Sequence, residues 1–309
     1  MTFSVVIPLY NKEQYVVDTI NSVLNQTFND YEVIVVDDGS TDHSKDRVKT
    51  IQSSRLKCIF QDNQGVAVAR NTGIENANGD YIAFLDADDY WHPDYLETIY
   101  SLINRYPESD MYVSAYRVVL ENGKVRYSKT LNNEDTLIKS YWMTYKNVYD
   151  TVWTSATVIK QSAIYRAGMF TPGEEIGEDL DLWARVAKNN PLVAYSPKVR
   201  VDYRRNAAEN ARRRVKIAYP KALLNLLKAE MVSPKWSDAE KFWMRKKYNR
   251  KMCIYVFTTI LAGEKRIARI ILKEWKKDNN NQYILPLYIS SLLPNNINKV
   301  VYNLRLKVF

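Results

Sequence analysis

The chain has 309 residues, long enough for one large domain with an appendage, and its 46% hydrophobic and 26% charged residues are ordinary for a globular protein. No stretch reaches the roughly 18 uninterrupted apolar residues of a membrane span. The cysteines Cys58 and Cys253 match no metal or redox spacing and point to a reducing compartment. The net charge of +9 is unevenly spread: from Ala211 onward 22 basic residues face six acidic ones, whereas the first 210 residues hold 22 basic and 29 acidic. Such a split implies two regions with different partners.

In chain order, Phe3–Leu9 is a β-branched apolar run of strand type, and Tyr15–Leu24 carries helical spacing through Val16, Ile20, Val23 and Leu24. The opening strand has no basic leader, so no secretory signal is expected. Tyr31–Val36 predicts a second strand, stopped by the turn formers Asp37 to Asp42. A polar helix to Ser53, a short strand at Leu56–Gln61 and a helix from Gly65 through Asn76 follow. Asn78-Gly79-Asp80 then turns into a strand at Tyr81–Leu85. Repeated β-α-β units predict a mainly parallel, doubly wound α/β sheet, whose ligands bind beyond the carboxyl ends of the strands. Tyr10-Asn11, Asp37-Asp38 and Asp86-Ala87-Asp88-Asp89 fall at those ends. Residues 111–203 read as mixed strands and helices of the same domain. From about Ala218 the pattern is helical, through Ala222–Met231, Phe242–Leu261 and Ile267–Trp275.

Two acidic clusters invite chemistry. Asp86, Asp88 and Asp89 repel one another unless protons or a cation compensate them, and hard divalent ions bridge such carboxylates to substrate phosphates. A solvated turn with an Asp helix cap explains the same residues equally well. Asp37-Asp38-Gly39-Ser40 is either a plain turn or a carboxylate meeting a nucleobase or ribose edge.

Five segments in order carry a resemblance: Ser4 to Asn11, Gln26-Thr27-Phe28, Glu32 to Asp42, Asn63-Gln64-Gly65 with Ala69 to Gly73, and Phe84 to Asp89. Together they resemble the signatures of family 2 glycosyltransferases, inverting enzymes of GT-A fold used in bacterial surface-polysaccharide synthesis. Gly177-Glu178-Asp179-Leu180-Asp181-Leu182-Trp183 resembles the family's acceptor-side segment. The match covers about residues 3–205.

The resemblance implies roles at matching positions. The backbone of Pro8, Leu9 and Tyr10 with Asp38 would hold the base, Arg70 would approach the diphosphate, Asp86 would lie at the ribose, and Ala87 would be a further nucleotide-sugar-binding position. Asp88, with Asp89 nearby, would hold Mn²⁺ or Mg²⁺. Asp179 would be the catalytic base, with Glu178 and Trp183 shaping the acceptor side; core packing explains Trp183 equally well. The sequence departs from the family at Tyr203-Arg204-Arg205-Asn206, where many relatives carry a His after an aromatic-Arg pair. Either Asp88, phosphates and water then suffice for the metal, or Arg204 and Arg205 take more of the diphosphate charge.

In the tail, Arg212 to Arg214, Arg245 to Lys247, Arg250, Lys251 and further basic residues alternate with Trp236, Phe242, Trp243, Tyr248, Tyr255, Phe257 and Trp275. This pattern suggests an anionic membrane surface, with a packed helical subdomain as the plain alternative. No nucleic-acid motif is present. The sequence therefore predicts a catalytic domain over 1–210 and a basic helical region over 211–309. The expected donor is a nucleotide sugar, most plausibly a UDP-sugar, and the acceptor a glycan or one carried on a polyprenyl diphosphate. The expected location is cytoplasmic, peripheral at the inner face of the cell membrane. Metal-dependent nucleotidyl transfer is the rival chemistry, but Pro8 to Asn11 supply neither its Gly-rich phosphate loop nor a Lys near it. A non-catalytic adaptor on a degenerate domain is the other rival.

Overall fold

A computed structural model describes residues 2–128, 132–146, 151–205, 219–278 and 284–292. The chain divides into two compact units, Met1–Ala207 and Ala208–Phe309.

In the first unit, strands β1 (Phe3–Leu9), β2 (Tyr31–Asp38), β3 (Leu56–Gln61) and β4 (Tyr81–Phe84) pair in parallel in the order β3-β2-β1-β4. Helices α1 (Val16–Leu24), α2 (Ser44–Lys49) and α3 (Val66–Glu75) connect them. Both faces of this sheet are covered, which is why its strands read as unbroken apolar runs. Val5, Ile7, Val33 and Val35 join the core containing Ile20 of α1, while Ile34 and Val36 pack with Ala69 of α3 on the other face. Helix α3 sits unusually close: a Cβ added to Gly73 would lie 2.4 Å from Val6 Cγ1. Gly39 also has a reason to be glycine, because its φ is +71° and a Cβ there would meet Asn63 N at 2.8 Å.

Beyond β4 the sheet departs from the parallel pattern. Strand β9 (Thr157–Lys160) runs antiparallel between β4 and β6 (Met111–Leu120). Strand β10 (Val193–Arg205) then pairs parallel with β6 and antiparallel with the two-residue strand β5 (Tyr90–Trp91). Strands β7 (Val125–Tyr127) and β8 (Thr136–Ile138) add short antiparallel edges to β6 and β10. Helix α4 (Tyr95–Arg105) covers β6 and β10, and α5 (Gln161–Ala167) leads to α6 (Glu178–Asn189). The polar helix expected to reach Ser53 stops at Lys49. Its last turn closes through Thr50 Oγ1 donating to the Arg47 carbonyl at 2.7 Å, freeing the chain to turn into β3.

The second unit contains α7 (Lys221–Val232), α8 (Asp238–Leu261), α9 (Lys265–Asp278) and α10 (Ile284–Leu292). Helix α8 begins with a reciprocal capping box between Ser237 and Glu240. Leu223, Leu227, Met244, Val256, Ile260, Ala268, Leu272 and Trp275 are buried at helical spacing. Trp236, Tyr248, Phe257 and Lys247, expected on an aromatic and basic surface, are buried as well, whereas Phe242, Ile254, Ile267 and Ile270 are exposed. No described helix is long and apolar enough to cross a membrane. Arg212 to Arg214 lie outside the described residues.

Candidate active site

The carboxyl ends of β1, β2 and β4 bring together the acidic and aromatic residues singled out in the sequence. At the end of β1, Pro8 is partly buried, Leu9 buried and Tyr10 exposed, so the Tyr10 ring is available for stacking. At the end of β2, Asp38 is buried and organises the next loop. Its Oδ1 accepts from Gln61 Nε2 at 2.8 Å and Gln64 N at 2.9 Å, and its Oδ2 accepts from Gly65 N at 2.8 Å. Asp37 accepts from Ser40 N at 2.9 Å, closing the turn.

The cluster after β4 separates into three fates. Asp86 pairs with Arg70 at 2.8 Å, and its backbone N–H donates to Ser155 Oγ at 3.1 Å. Ala87 is buried, and its carbonyl accepts from Thr19 Oγ1. The Asp88 Oδ2 oxygen meets Lys12 Nζ at 2.6 Å. Burial pushes the Asp88 carboxyl above the usual range, Lys12 pulls it down, and Asp86 pushes it up again. Asp89, expected near a metal, is fully buried with both oxygens engaged: Oδ1 accepts from Arg204 N at 3.1 Å, and Oδ2 from Ser155 Oγ at 2.5 Å and Trp153 Nε1 at 3.4 Å. Burial, reinforced by Asp88 and Asp86, raises its carboxyl well above the ordinary range. Asp89 is therefore a clasp between the β4 loop, residues 153–155 and β10.

Arg70 differs from the expectation of a group reaching for a diphosphate. Its side chain is 4% exposed and spans two loops, with Nη2 donating to Asp86 and Nη1 to Glu178, each at 2.8 Å. The guanidinium also lies 5.2 Å from the centre of the Phe170 ring. Burial opposes its charge, but Asp86 and Glu178 outweigh burial and hold its pKa above the usual value.

At the start of α6, Glu178, Asp179 and Asp181 occupy the first turn, where backbone N–H groups favour negative charge. Burial and the neighbouring Asp179 raise the Glu178 carboxyl despite Arg70. Asp179 is partly exposed; its Oδ1 accepts from Leu180 N at 2.7 Å and its Oδ2 from Thr154 Oγ1 at 2.9 Å. Asp181 is buried against Arg185 at 2.8 Å and Thr171 Oγ1 at 3.0 Å, which makes it structural. Trp183, expected on the acceptor side, is fully buried against Phe84 and Phe170, at ring separations of 5.2 and 6.0 Å. It offers no face to a ligand and supports α6 from beneath.

Four contributors carried no signal in the sequence. Trp153, Thr154 and Ser155 reach Asp89, Asp179 and Asp86 from one short segment, yet Trp-Thr-Ser matches no spacing rule. Lys12 acts on a residue 76 positions away. Of the departing stretch, Tyr203 packs tilted against Trp153 with centroids 4.2 Å apart, Arg204 lies over the Tyr90 ring, and Asn206 lies outside the described residues.

Among the described residues no three His, Cys, Asp or Glu side chains converge as a metal cage. The donor set nevertheless fits Mg²⁺ or Mn²⁺, which are held by one or two carboxylates plus substrate phosphates. The Lys12 ammonium on Asp88 is a cation already standing at that carboxylate.

A family model described as Glycosyl transferase family 2 matches residues 4–170. Glycosyltransferase GlyA of Streptococcus pneumoniae serotype 4 is 37% identical over 151 residues, which is 48% of this chain and 20% of GlyA. The putative teichuronic acid biosynthesis glycosyltransferase TuaG of Bacillus subtilis is 44% identical over 97 residues, 30% of this chain and 38% of TuaG. The chain thus spans well under half the length of these curated relatives. S. aureus TarS 1–349 shares the fold, with a TM-score of 0.67 at 18% identity over 93% of this chain and 89% of that one. A TarS structure in complex with UDP-GlcNAc matches with a TM-score of 0.64. With the family's match spanning more than half of the sequence and the α/β architecture shared with TarS, the chain belongs to glycosyl transferase family 2 and has the GT-A fold.

Proposed function

We propose that the chain transfers a sugar from a UDP-sugar to a hydroxyl of a surface glycan or lipid-linked glycan, inverting the anomeric configuration. The observation that carries this reading is one connected network. Arg70 joins Asp86 at the donor end of the sheet to Glu178 beside Asp179, and the adjacent residues Thr154 and Ser155 hold Asp179 and the Asp86 backbone. Donor-side and acceptor-side carboxylates are thereby held at a fixed spacing, which displacement at one carbon requires. In this reading Tyr10 stacks on the base and Asp38 keeps the loop around it in shape. Asp88 would hold Mn²⁺ or Mg²⁺, which would supply positive charge against the charge developing on the leaving diphosphate. Asp179, fixed by Thr154, accepts the proton of the attacking hydroxyl. Attack from the base's side, opposite the leaving group, needs no covalent intermediate.

The UDP-GlcNAc complex of TarS supports the uridine donor, and the name of TuaG supports a surface-polysaccharide acceptor. The basic second unit supports a peripheral position at the inner face of the cell membrane, where a polyprenyl-diphosphate carrier would be met. A panel of UDP-, GDP- and dTDP-sugars, assayed for nucleotide release with and without Mn²⁺, tests the reading. Release from a UDP-sugar, stimulated by Mn²⁺, is expected. Release only from the other nucleotides overturns the uridine donor, and equal release without Mn²⁺ overturns the metal role of Asp88.

A further inference from the structure

Lys12 stands out because so much local structure serves to fix it. Asn11, just before it, adopts a left-handed backbone with φ of +52°, a conformation that Asn tolerates better than most residues. The Asn11 N–H donates to Ser40 Oγ at 3.0 Å, and Asn11 Oδ1 accepts from Thr41 N at 2.8 Å. Lys12 N–H donates to Ser44 Oγ at 2.8 Å, and Glu13 N–H to Asp42 Oδ2 at 3.1 Å. The loop between β1 and α1 is thus stapled to the loop between β2 and α2, and the ammonium is delivered to Asp88 beyond the neighbouring strand β4. Both side chains are 21% exposed, so water screens the pair less than an ordinary surface ion pair.

We propose, resting on the reading of Asp88 as the metal-holding residue, that Lys12 is a resident counter-cation that makes metal and donor bind together. With Lys12 in place, a divalent ion arriving alone must displace the ammonium and leave it without that anion. A diphosphate arriving with the ion gives Lys12 a new anion, because its three donors sit on a flexible stem that can swing to phosphate oxygens. Each ligand then favours the other, and the coupling acts equally on both affinities. Lys12 is in this sense a positioning residue for the donor.

The test is a calorimetric titration of Mn²⁺ into the full chain, alone and at saturating UDP. The variants are Lys12→Met, Lys12→Gln, which keeps a polar contact without the charge, and Lys12→Arg, which keeps the charge. In the wild type UDP is expected to tighten Mn²⁺ by about tenfold or more, within the usual range of such couplings. Lys12→Met and Lys12→Gln should bind Mn²⁺ alone about tenfold more tightly than the wild type, with most of the gain from UDP lost. Lys12→Arg should keep both the weak binding of Mn²⁺ alone and the coupling. Thermal melts identify any variant that fails to fold, and the remaining neutral variant then decides. If the wild type binds Mn²⁺ and UDP but the neutral variants bind Mn²⁺ alone no more tightly, the role of Lys12 is overturned and the donor reading stands. If the wild type binds no Mn²⁺ even with UDP, both are overturned.

Discussion

Asp88 and Asp89 are neighbours in sequence with opposite surroundings. Asp88 is partly open and faces a cation, whereas Asp89 is sealed among protein donors with a raised pKa. The difference is one of direction: the Asp89 N–H closes a turn on the Asp86 carbonyl at 3.0 Å, and the two side chains leave that turn toward different elements. The same distinction separates Asp179 from Asp181 on α6: one is accessible and held by Thr154, the other is consumed by Arg185. Asp179→Asn keeps the shape and the Thr154 contact but removes the proton acceptor. It is expected to leave UDP affinity nearly unchanged while lowering turnover by about 10²-fold or more, read by separate binding and steady-state measurements. Near-normal turnover would move the base elsewhere, since of its neighbours Asp181 is buried against Arg185 and Glu178 is paired with Arg70.

At the scale of elements, the site depends on how closely α3 lies on β1. Arg70 reaches Asp86 and Glu178 because Gly73, one turn further along α3, lets the helix approach Val6. Gly73→Ala places a methyl group against a branched side chain in the core, and overpacking of this kind costs about 1–3 kcal/mol. Chemical denaturation should show that loss, although alanine is the better helix former. Because the displaced helix carries Arg70, turnover should fall more than UDP affinity does. A variant as stable and as active as the wild type would mean that the helix can shift without consequence. The insertion of β9 between β4 and β6 has a similar role. It carries the preceding residues Trp153, Thr154 and Ser155 to the carboxyl end of β4, where they tie the acidic cluster to α6.

At the scale of the whole molecule, two units carry opposite charge, and in the second most described basic residues are exposed while Lys247, Trp236, Tyr248, Phe257 and Trp275 are buried. Exposed Ile267 and Ile270 lie on α9 among exposed Arg266, Arg269 and Lys273, and exposed Phe242 lies on α8 with Arg245 and Lys246. Apolar side chains among basic ones are what an anionic lipid surface attracts, at about 1 kcal/mol for each Lys or Arg close to it. Replacing Arg245, Lys246, Arg266, Arg269 and Lys273 together by Gln is expected to abolish co-sedimentation with anionic vesicles. UDP binding should be unaffected, since Asp38 and Asp88 belong to the other unit. Wild-type binding should fall with salt, because the Debye length shrinks from about 10 Å at 0.1 M to about 3 Å at 1 M. Equal binding to neutral and anionic vesicles, or none to either, would leave this unit as a packing subdomain or a protein-interaction surface.

The sequence by itself determined the β-α-β frame, the strand ends where polar clusters gather, and the family, since these are written in local periodicity and in motifs of contiguous residues. It located Asp38, Asp86, Asp88 and Asp179 at element ends for the same reason. The tertiary structure alone decided what each of them faces. Whether Arg70 meets a ligand or two carboxylates, whether Trp183 is a platform or core, and whether Lys12 stands on Asp88 depend on contacts between residues 16 to 108 positions apart. Such contacts follow from the packing of α3 and α6, from the antiparallel entry of β9, and from two loops stapled together, none of which has a period that a linear pattern records.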